Sequence, residues 1–524
     1  MKKYILLSLL ITQSIATVFS QDLKFKIKGQ PDGTINLVKY VGSKLYYADT
    51  ADIKNEIVTF DGSKQQPGVM AVLLPGQKYF EFIYNNEAVE IETEHNNFVT
   101  PMVVKKSVEN KLFIPYIQMI QSSREQADAL NKQADALPND AVDKKKELKD
   151  QVNQISKDVI AYQNKLIDEN ANTLAAKIIK MSMDIDLPEA PKNEDGSLKD
   201  SLFVYKYFRD HFWDNVDLQD DRLVNVPVLE KKVRQYISDR VLHQSPDSLI
   251  KYIAPVMNQL QEGSTMYRFF TTTISSHFEK SKIMGMDKVF HFMFLNYYCS
   301  KDKNGKYKGF WMKDSKLDEI CEDIGTKSIT DIGNKAPNII LTDTTEQNWL
   351  GFYDNGKEYT VLYFWDPDCG HCKKETPKLQ KLYTQKLKDR NVGVFAIGKA
   401  TGEDFEKWKK YIRENDLTFT NVALTNSIWE FANESQENVR TLIPSKTTVE
   451  SLNYQQTYDI FSTPRVFVVD KNKRIVAKSL SIAQLEEYLD AVQGMPTAEK
   501  IFDVEQEKKE AEELEQKRKD AQKE

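Results

Sequence analysis

Thr360-Val361-Leu362-Tyr363-Phe364-Trp365, followed three residues later by Cys369-Gly370-His371-Cys372, is the stretch whose reading decides the fold. Six strand-favouring residues in a row, with no polar alternation, predict a strand buried on both faces, as a central parallel strand of an α/β sheet is. Beyond the cysteines, Leu379, Leu382 and Leu387 recur at helical spacing among Lys373, Lys374, Lys378, Lys381 and Lys386. The second cysteine therefore opens an amphipathic helix with a basic outer face. At a helix start, unpaired N–H groups and the positive end of the dipole favour an anion. Cys369 is thus read as the reactive thiolate and Cys372, one turn in, as the shielded resolving thiol.

Outward from this point the α/β order continues. Strand Val392–Ile397, helix Glu403–Arg413, strand Phe419–Ala423, a partly helical insertion over Asn426–Tyr458, strands Val466–Val469 and Ile475–Ala477, and a last helix with Ser481 and Gln484 as its capping box complete it. Upstream, strand patterning begins again at Gly333 to Asn338. With these residues in place, the segment from about Gly333 to Gly494 resembles the thioredoxin-like family, in its exported TlpA/ResA type of thiol-disulfide oxidoreductase. The resemblance is carried by Ala336-Pro337, Phe364-Trp365, Cys369-Gly370-His371-Cys372, Pro377, and Thr463-Pro464 before a strand.

The resemblance implies that Pro377 kinks the active-site helix and that Pro464 is a cis-proline facing the cysteines. It implies too that the backbone of Thr463 pairs with an extended substrate peptide. Gly370 and Trp365 complete the supporting set, and no cofactor or metal is implied. Two positions depart from the pattern. Thioredoxin keeps a buried aspartate six residues before its first cysteine, and here that position is Tyr363; Asp368 stands where thioredoxin has a tryptophan. The Gly-His dipeptide is similar to that of protein disulfide isomerase. His371 is accordingly read as donating its ring N–H to the Cys369 thiolate, which would raise the redox potential toward the isomerase value.

The rest of the chain sets the context. At 524 residues it is too long for one core. It reads as multidomain: a signal peptide at 1–20, a small antiparallel all-β domain at 21–105, an α-helical domain at 106–332, the α/β thioredoxin-like domain at 333–494 and a charged helical or disordered tail at 495–524. Lys2 and Lys3, an apolar run from Ile5 to Val18, and Val18 and Ser20 before a cleavage point make the export signal. About 14 apolar residues fall short of the roughly 20 needed to span a bilayer. Short alternating strands fill Leu23 to Thr93, resembling the all-β domain of unknown function found at the front of exported thioredoxin-like proteins. Ile117, Ile120, Ala127, Leu130, Ala134 and Leu137, then Leu148, Val152, Ile155, Val159, Tyr162 and Leu166, form two stripes broken by Pro138-Asn139-Asp140, which is a helical hairpin. The helices that follow are rich in aromatic residues.

Seventy-two Lys and Arg nearly balance 78 Asp and Glu, so no net field exists to hold nucleic acid or an anionic membrane. Four cysteines in so long a chain are no disulfide framework. Cys299 and Cys321 are read as buried helix cysteines behaving as small apolar groups, a bridge between them being the alternative. The histidines His211, His243, His277 and His291 share no metal-binding frame.

These readings converge on an exported enzyme of the EC 1.8 class that exchanges a Cys369–Cys372 dithiol/disulfide with protein thiol/disulfide clients in the periplasm or cell envelope and with an upstream redox partner. Two alternatives differ in class. One is an envelope binding protein for peptide or glycan with an accessory thioredoxin-like domain. The other is a thioredoxin-fold peroxidase, disfavoured because Asp366 holds the place of the threonine three residues before the first cysteine.

Overall fold

Leu23, Phe25 and Ile27 alternate with lysines, and a period of two places all three on the buried face of the first strand, β1 (Asp22–Lys28). A computed structural model describes residues 21–521 of the chain. The predicted signal peptide, residues 1–20, lies outside them. Seven strands follow β1: β2 (Gly33–Val41), β3 (Lys44–Ile53), β4 (Ile57–Asp61), β5 (Gly68–Leu74), β6 (Lys78–Tyr84), β7 (Val89–Glu94) and β8 (Val103–Lys106). They form two sheets, ordered β4-β1-β7-β8 and β3-β2-β5-β6. The sheets meet through aromatic packing, with Phe25 4.9 Å from Phe82 and 5.7 Å from Phe80 between ring centroids. The sandwich is not wholly antiparallel, because β1 runs parallel to β7. Alternation reports which face a residue lies on and carries no information about strand direction.

The switch to helical period at Ser107 is a capped start. The Ser107 hydroxyl accepts from the Asn110 N–H at 2.9 Å and opens α1 (Val108–Asp135), which α2 (Val142–Glu169) answers as the antiparallel half of the predicted hairpin. Seven helices come next: α3 (Leu174–Ser182), α4 (Phe203–Asp210), α5 (Pro227–Tyr236), α6 (Pro246–Met257), α7 (Thr265–Glu279), α8 (Asp287–Tyr297) and α9 (Asp314–Ser328). The described chain divides into two compact units, residues 21–244 with 252–273, and residues 245–251 with 274–521.

In the second unit Cys299, just past α8, and Cys321, inside α9, form a disulfide. This corrects the reading of the two as separate apolar cysteines. Both are only half-buried, and the turn between α8 and α9 brings together residues 22 apart in sequence.

The α/β part is a seven-stranded sheet in the order β10-β9-β13-β12-β11-β14-β15. Its strands are β9 (Ile340–Thr342), β10 (Trp349–Gly351), β11 (Tyr359–Trp365), β12 (Val392–Ala400), β13 (Thr420–Thr425), β14 (Arg465–Asp470) and β15 (Ile475–Lys478). As the unbroken apolar run predicted, β11 is central and covered on both faces, with β12 parallel on one side and β14 antiparallel on the other. Helices α10 (Gly370–Leu382), α11 (Asp404–Glu414) and α16 (Ile482–Val492) flank the sheet, and the insertion after β13 holds α12 (Asn426–Glu434), α13 (Gln436–Leu442), α14 (Val449–Leu452) and α15 (Tyr454–Thr457). The capping box of Ser481 and Gln484 is present.

The charged C-terminal segment is helical in α17 (Val504–Ala521), and its approach is anchored. Buried Glu486 accepts from the N–H groups of Ile501 (2.8 Å) and Phe502 (3.0 Å), and buried Asp490 pairs with Arg390 and Lys500, each at 2.6 Å. Two carboxylates on one buried helix face need partners, and the segment past Gly494 supplies them together with Lys386 and Arg390. Among the described residues no helix is long and apolar enough to cross a membrane.

Replacing Cys299 and Cys321 together by serine should lower the unfolding free energy of the second unit by about 3 kcal/mol, through release of a 22-residue loop in the unfolded chain. Urea titration of the variant against the parent checks this; an unchanged midpoint would contradict it.

Candidate active site

The site begins where β11 runs out of sheet. Asp366 turns the chain: its carboxylate accepts from the Asp368 N–H at 2.8 Å, and its carbonyl accepts from the Cys369 N–H at 3.2 Å. Cys369 then occupies the N-cap of α10 in extended conformation, with Gly370 and His371 exposed in the first turn and Cys372 buried behind them. Both cysteines are free thiols.

Their surroundings separate them. Burial alone pushes the Cys369 sulfur up, but the backbone N–H of Cys372, the side chains of Thr463 and Cys372 and the backbone N–H of His371 outweigh it and hold the thiol below its ordinary value. As a thiol, Cys369 donates to the Thr463 carbonyl at 3.2 Å. Burial raises Cys372 to about 12, against a weak opposing bond from the Asp366 N–H, which lies 3.5 Å from its sulfur. One sulfur is stabilised as an anion and its neighbour is kept protonated.

The structure brings Cys369, Cys372, Gly370, Trp365 and Thr463 together; the Thr463–Pro464 peptide is cis, and Pro377 lies inside α10. Proline has no N–H to give the Lys373 carbonyl one turn earlier, and the Tyr411 hydroxyl approaches that carbonyl instead, at 3.5 Å. His371 lies exposed in the first turn with no hydrogen bond between its ring and Cys369, and its backbone N–H is among the groups that hold the Cys369 thiol down.

Glu375, one turn past Cys372, carries functional promise that the sequence reading missed. Its Oε1 pairs with Lys378 at 2.9 Å, while Oε2 is buried without a hydrogen-bond partner. Tyr363, in place of the buried aspartate of thioredoxin, is itself buried and shares a 2.9 Å hydrogen bond with Thr376. The signal available was spacing, since a carboxylate three residues after a buried helical cysteine lies on its face.

On the side of the cis peptide, a cavity of about 190 Å³ is lined by Trp365, Asp366, Lys399, Gln455, Phe461 and Thr463. Phe461 is 82 % exposed. Lys399 is held over the cavity by Asp366 (3.4 Å) and Asp404 (3.0 Å). A second group of ionisable side chains, Asp287, His291 and Asp331, places its ligand atoms within 4.8 Å of one another. The Lys478 ammonium lies among them, 2.5 Å from Asp287 and 3.6 Å from Asp331, and supplies the positive charge there.

A central strand ending in a dithiol at a helix start, faced by a cis X-Pro loop, defines a thioredoxin-like redox domain. Family models agree: residues 332–478 match the AhpC/TSA family, residues 143–308 the domain of unknown function DUF5106 and residues 22–113 the domain of unknown function DUF4369. The C-terminal part of this chain is thus a thioredoxin-like domain of the AhpC/TSA family, behind DUF4369 and DUF5106 segments.

Among solved structures the chain is similar to a domain of a possible thiol-disulfide isomerase from Cytophaga hutchinsonii, at 33 % identity over 31 % of this chain and 93 % of that one, TM-score 0.24. It is similar also to the thioredoxin domain of a thiol-disulfide oxidoreductase from Bacteroides vulgatus (25 % identity, 31 % and 96 % covered, TM-score 0.24). A thioredoxin-like protein from Bacteroides caccae matches more of the chain (16 % identity, 59 % and 98 % covered, TM-score 0.38). No curated protein matches.

Iodoacetamide at mildly acidic pH should label Cys369 well ahead of Cys372, and His371→Ala should leave the pH profile of that labelling in place because backbone groups hold the thiolate. Peptide mapping by mass spectrometry reads both. Preferential labelling of Cys372, or a profile displaced by a full unit in the alanine variant, would contradict the geometry.

Proposed function

We propose that this protein is an exported thiol-disulfide oxidoreductase acting on protein clients of the cell envelope. The observation that carries the reading is the divergence of the two sulfurs, Cys369 held toward thiolate at an exposed helix start and Cys372 buried and protonated. In the reducing direction, the Cys369 thiolate attacks a client disulfide. A Cys369–client bond forms as the client S–S bond breaks, and the departing client sulfur takes a proton. Cys372 then loses its proton and attacks Cys369, closing the Cys369–Cys372 disulfide and releasing the second client thiol. The client gains two electrons and two protons, and the upstream redox partner restores the dithiol. The half-buried Glu375 carboxylate, with one oxygen unpartnered, is the group that takes the Cys372 proton.

Export is supported by the basic, apolar and small-residue order of positions 1–20. Asp366, at the position a peroxidase gives to threonine, tells against peroxide as the substrate.

The reading predicts dithiothreitol-dependent insulin reduction by the full chain, lost in Cys369→Ala. In Cys372→Ala, the client should remain covalently attached to Cys369 and be recoverable from the envelope fraction; a protein that reduces no disulfide and traps nothing would overturn the proposal. In Glu375→Gln, turnover at neutral pH should fall about tenfold or more and recover as pH rises, since hydroxide then does the work of the missing base. A uniform loss across pH would instead assign Glu375 a structural role.

A further inference from the structure

The edge strand β6 carries main-chain groups that the fold leaves open in one place only part of the way along. At Ile83 both are taken by one side chain: the N–H donates to Asn110 Oδ1 at 2.8 Å, and the carbonyl accepts from Asn110 Nδ2 at 2.7 Å. Those groups therefore point away from β5. The β5–β6 register is unbroken, with Val69 opposite Ile83, Ala71 opposite Glu81 and Leu73 opposite Tyr79. In an antiparallel ladder every second residue points the same way, so the N–H and carbonyl groups of Glu81 and Tyr79 also face the open edge. Among the described residues nothing in the fold meets them.

What lies there is a cavity of about 310 Å³, bounded by this edge and by Val99, Met102, Phe113, Ile114 and Ile117. Its walls are fixed. The Gln118 amide donates to the carbonyls of Val99 (2.9 Å) and Met102 (3.0 Å), and α1 is pinned to β6 by Asn110. An exposed edge is ordinarily hydrated. This one is flanked by aliphatic and aromatic surface, which leaves its polar groups with few good water partners. The single carboxylate on the lining, that of the half-buried Glu81, accepts the Tyr40 hydroxyl at 2.5 Å and has no Lys or Arg partner among the described residues.

Free main-chain donors and acceptors at strand spacing, an apolar slot beside them and an unneutralised carboxylate together specify a polypeptide. We propose that this edge is a peptide-binding site, at which an extended segment of another protein adds to β6 as a further strand. The segment exchanges main-chain hydrogen bonds with Tyr79 and Glu81, buries an apolar side chain in the cavity and sets a Lys or Arg beside Glu81. The site rests on no property of the thiols, and it gives the β domain a binding role of its own.

The test uses the full chain and a fluorescein-labelled, cysteine-free decapeptide of alternating Val and Lys, read by fluorescence anisotropy. Saturable binding is expected, weakened about tenfold or more when alternate peptide amides are N-methylated. Tyr79→Pro should weaken it as much, since proline removes an edge N–H that the β5–β6 ladder does not use. Glu81→Gln should abolish the preference for Lys over Glu in the peptide while keeping the N-methylation penalty. Absence of saturable binding, or binding indifferent to N-methylation, overturns the proposal. A urea melt establishes that the proline variant is folded; should it not be, the N-methylated peptide against the parent chain decides alone.

Discussion

The position at which β11 leaves the sheet is the constraint on which the redox site depends. A strand covered on both faces ends where its last side chain, Trp365, is still buried, and the next turn must deliver the chain to a helix whose first N–H groups have no partner within the helix. Asp366 makes that turn with its side chain and its carbonyl. The consequence is a sulfur at the mouth of α10 and a second sulfur one turn deeper. Their opposite shifts follow from depth and from where N–H groups point, and no metal, cofactor or remote charge is needed to produce them.

The central strand, the dithiol, the helical hairpin and the capping box were legible because each leaves a local pattern: an unbroken apolar run, a short spacing, a period of 3.5, a pair three residues apart. The misses share a cause. Parallel pairing of β1 with β7, the bond between Cys299 and Cys321, and the docking of Lys500, Ile501 and Phe502 on Glu486 and Asp490 are contacts between distant positions, which periodicity does not encode. Glu375 differs, for its position on the face of Cys372 was readable from the spacing alone.

His371 shows how a side chain and its own backbone can exchange roles. A histidine in the first turn of a helix invites the view that its ring stabilises the neighbouring anion. The ring is exposed, and it is the N–H of the same residue that helps hold the thiol below its ordinary value. Any residue except proline supplies that N–H. The dipeptide between the cysteines thus influences the thiolate chiefly through whether its second position can donate, which makes the contrast with a Gly-Pro dipeptide one of backbone chemistry.

The two cysteine pairs of this chain make the same point from the other side. Cys299 follows the C-terminal end of α8, where carbonyl oxygens and the negative end of the helix dipole disfavour a thiolate, and Cys321 lies mid-helix in α9, where every N–H is already spent on the turn before. That pair is closed. Cys369 and Cys372 are free thiols, and an anion at Cys369 is met by N–H groups already in place. Stabilising the thiolate stabilises the reduced pair against its disulfide. Helix position and depth therefore give the two cysteine pairs different surroundings within a single unit of the protein.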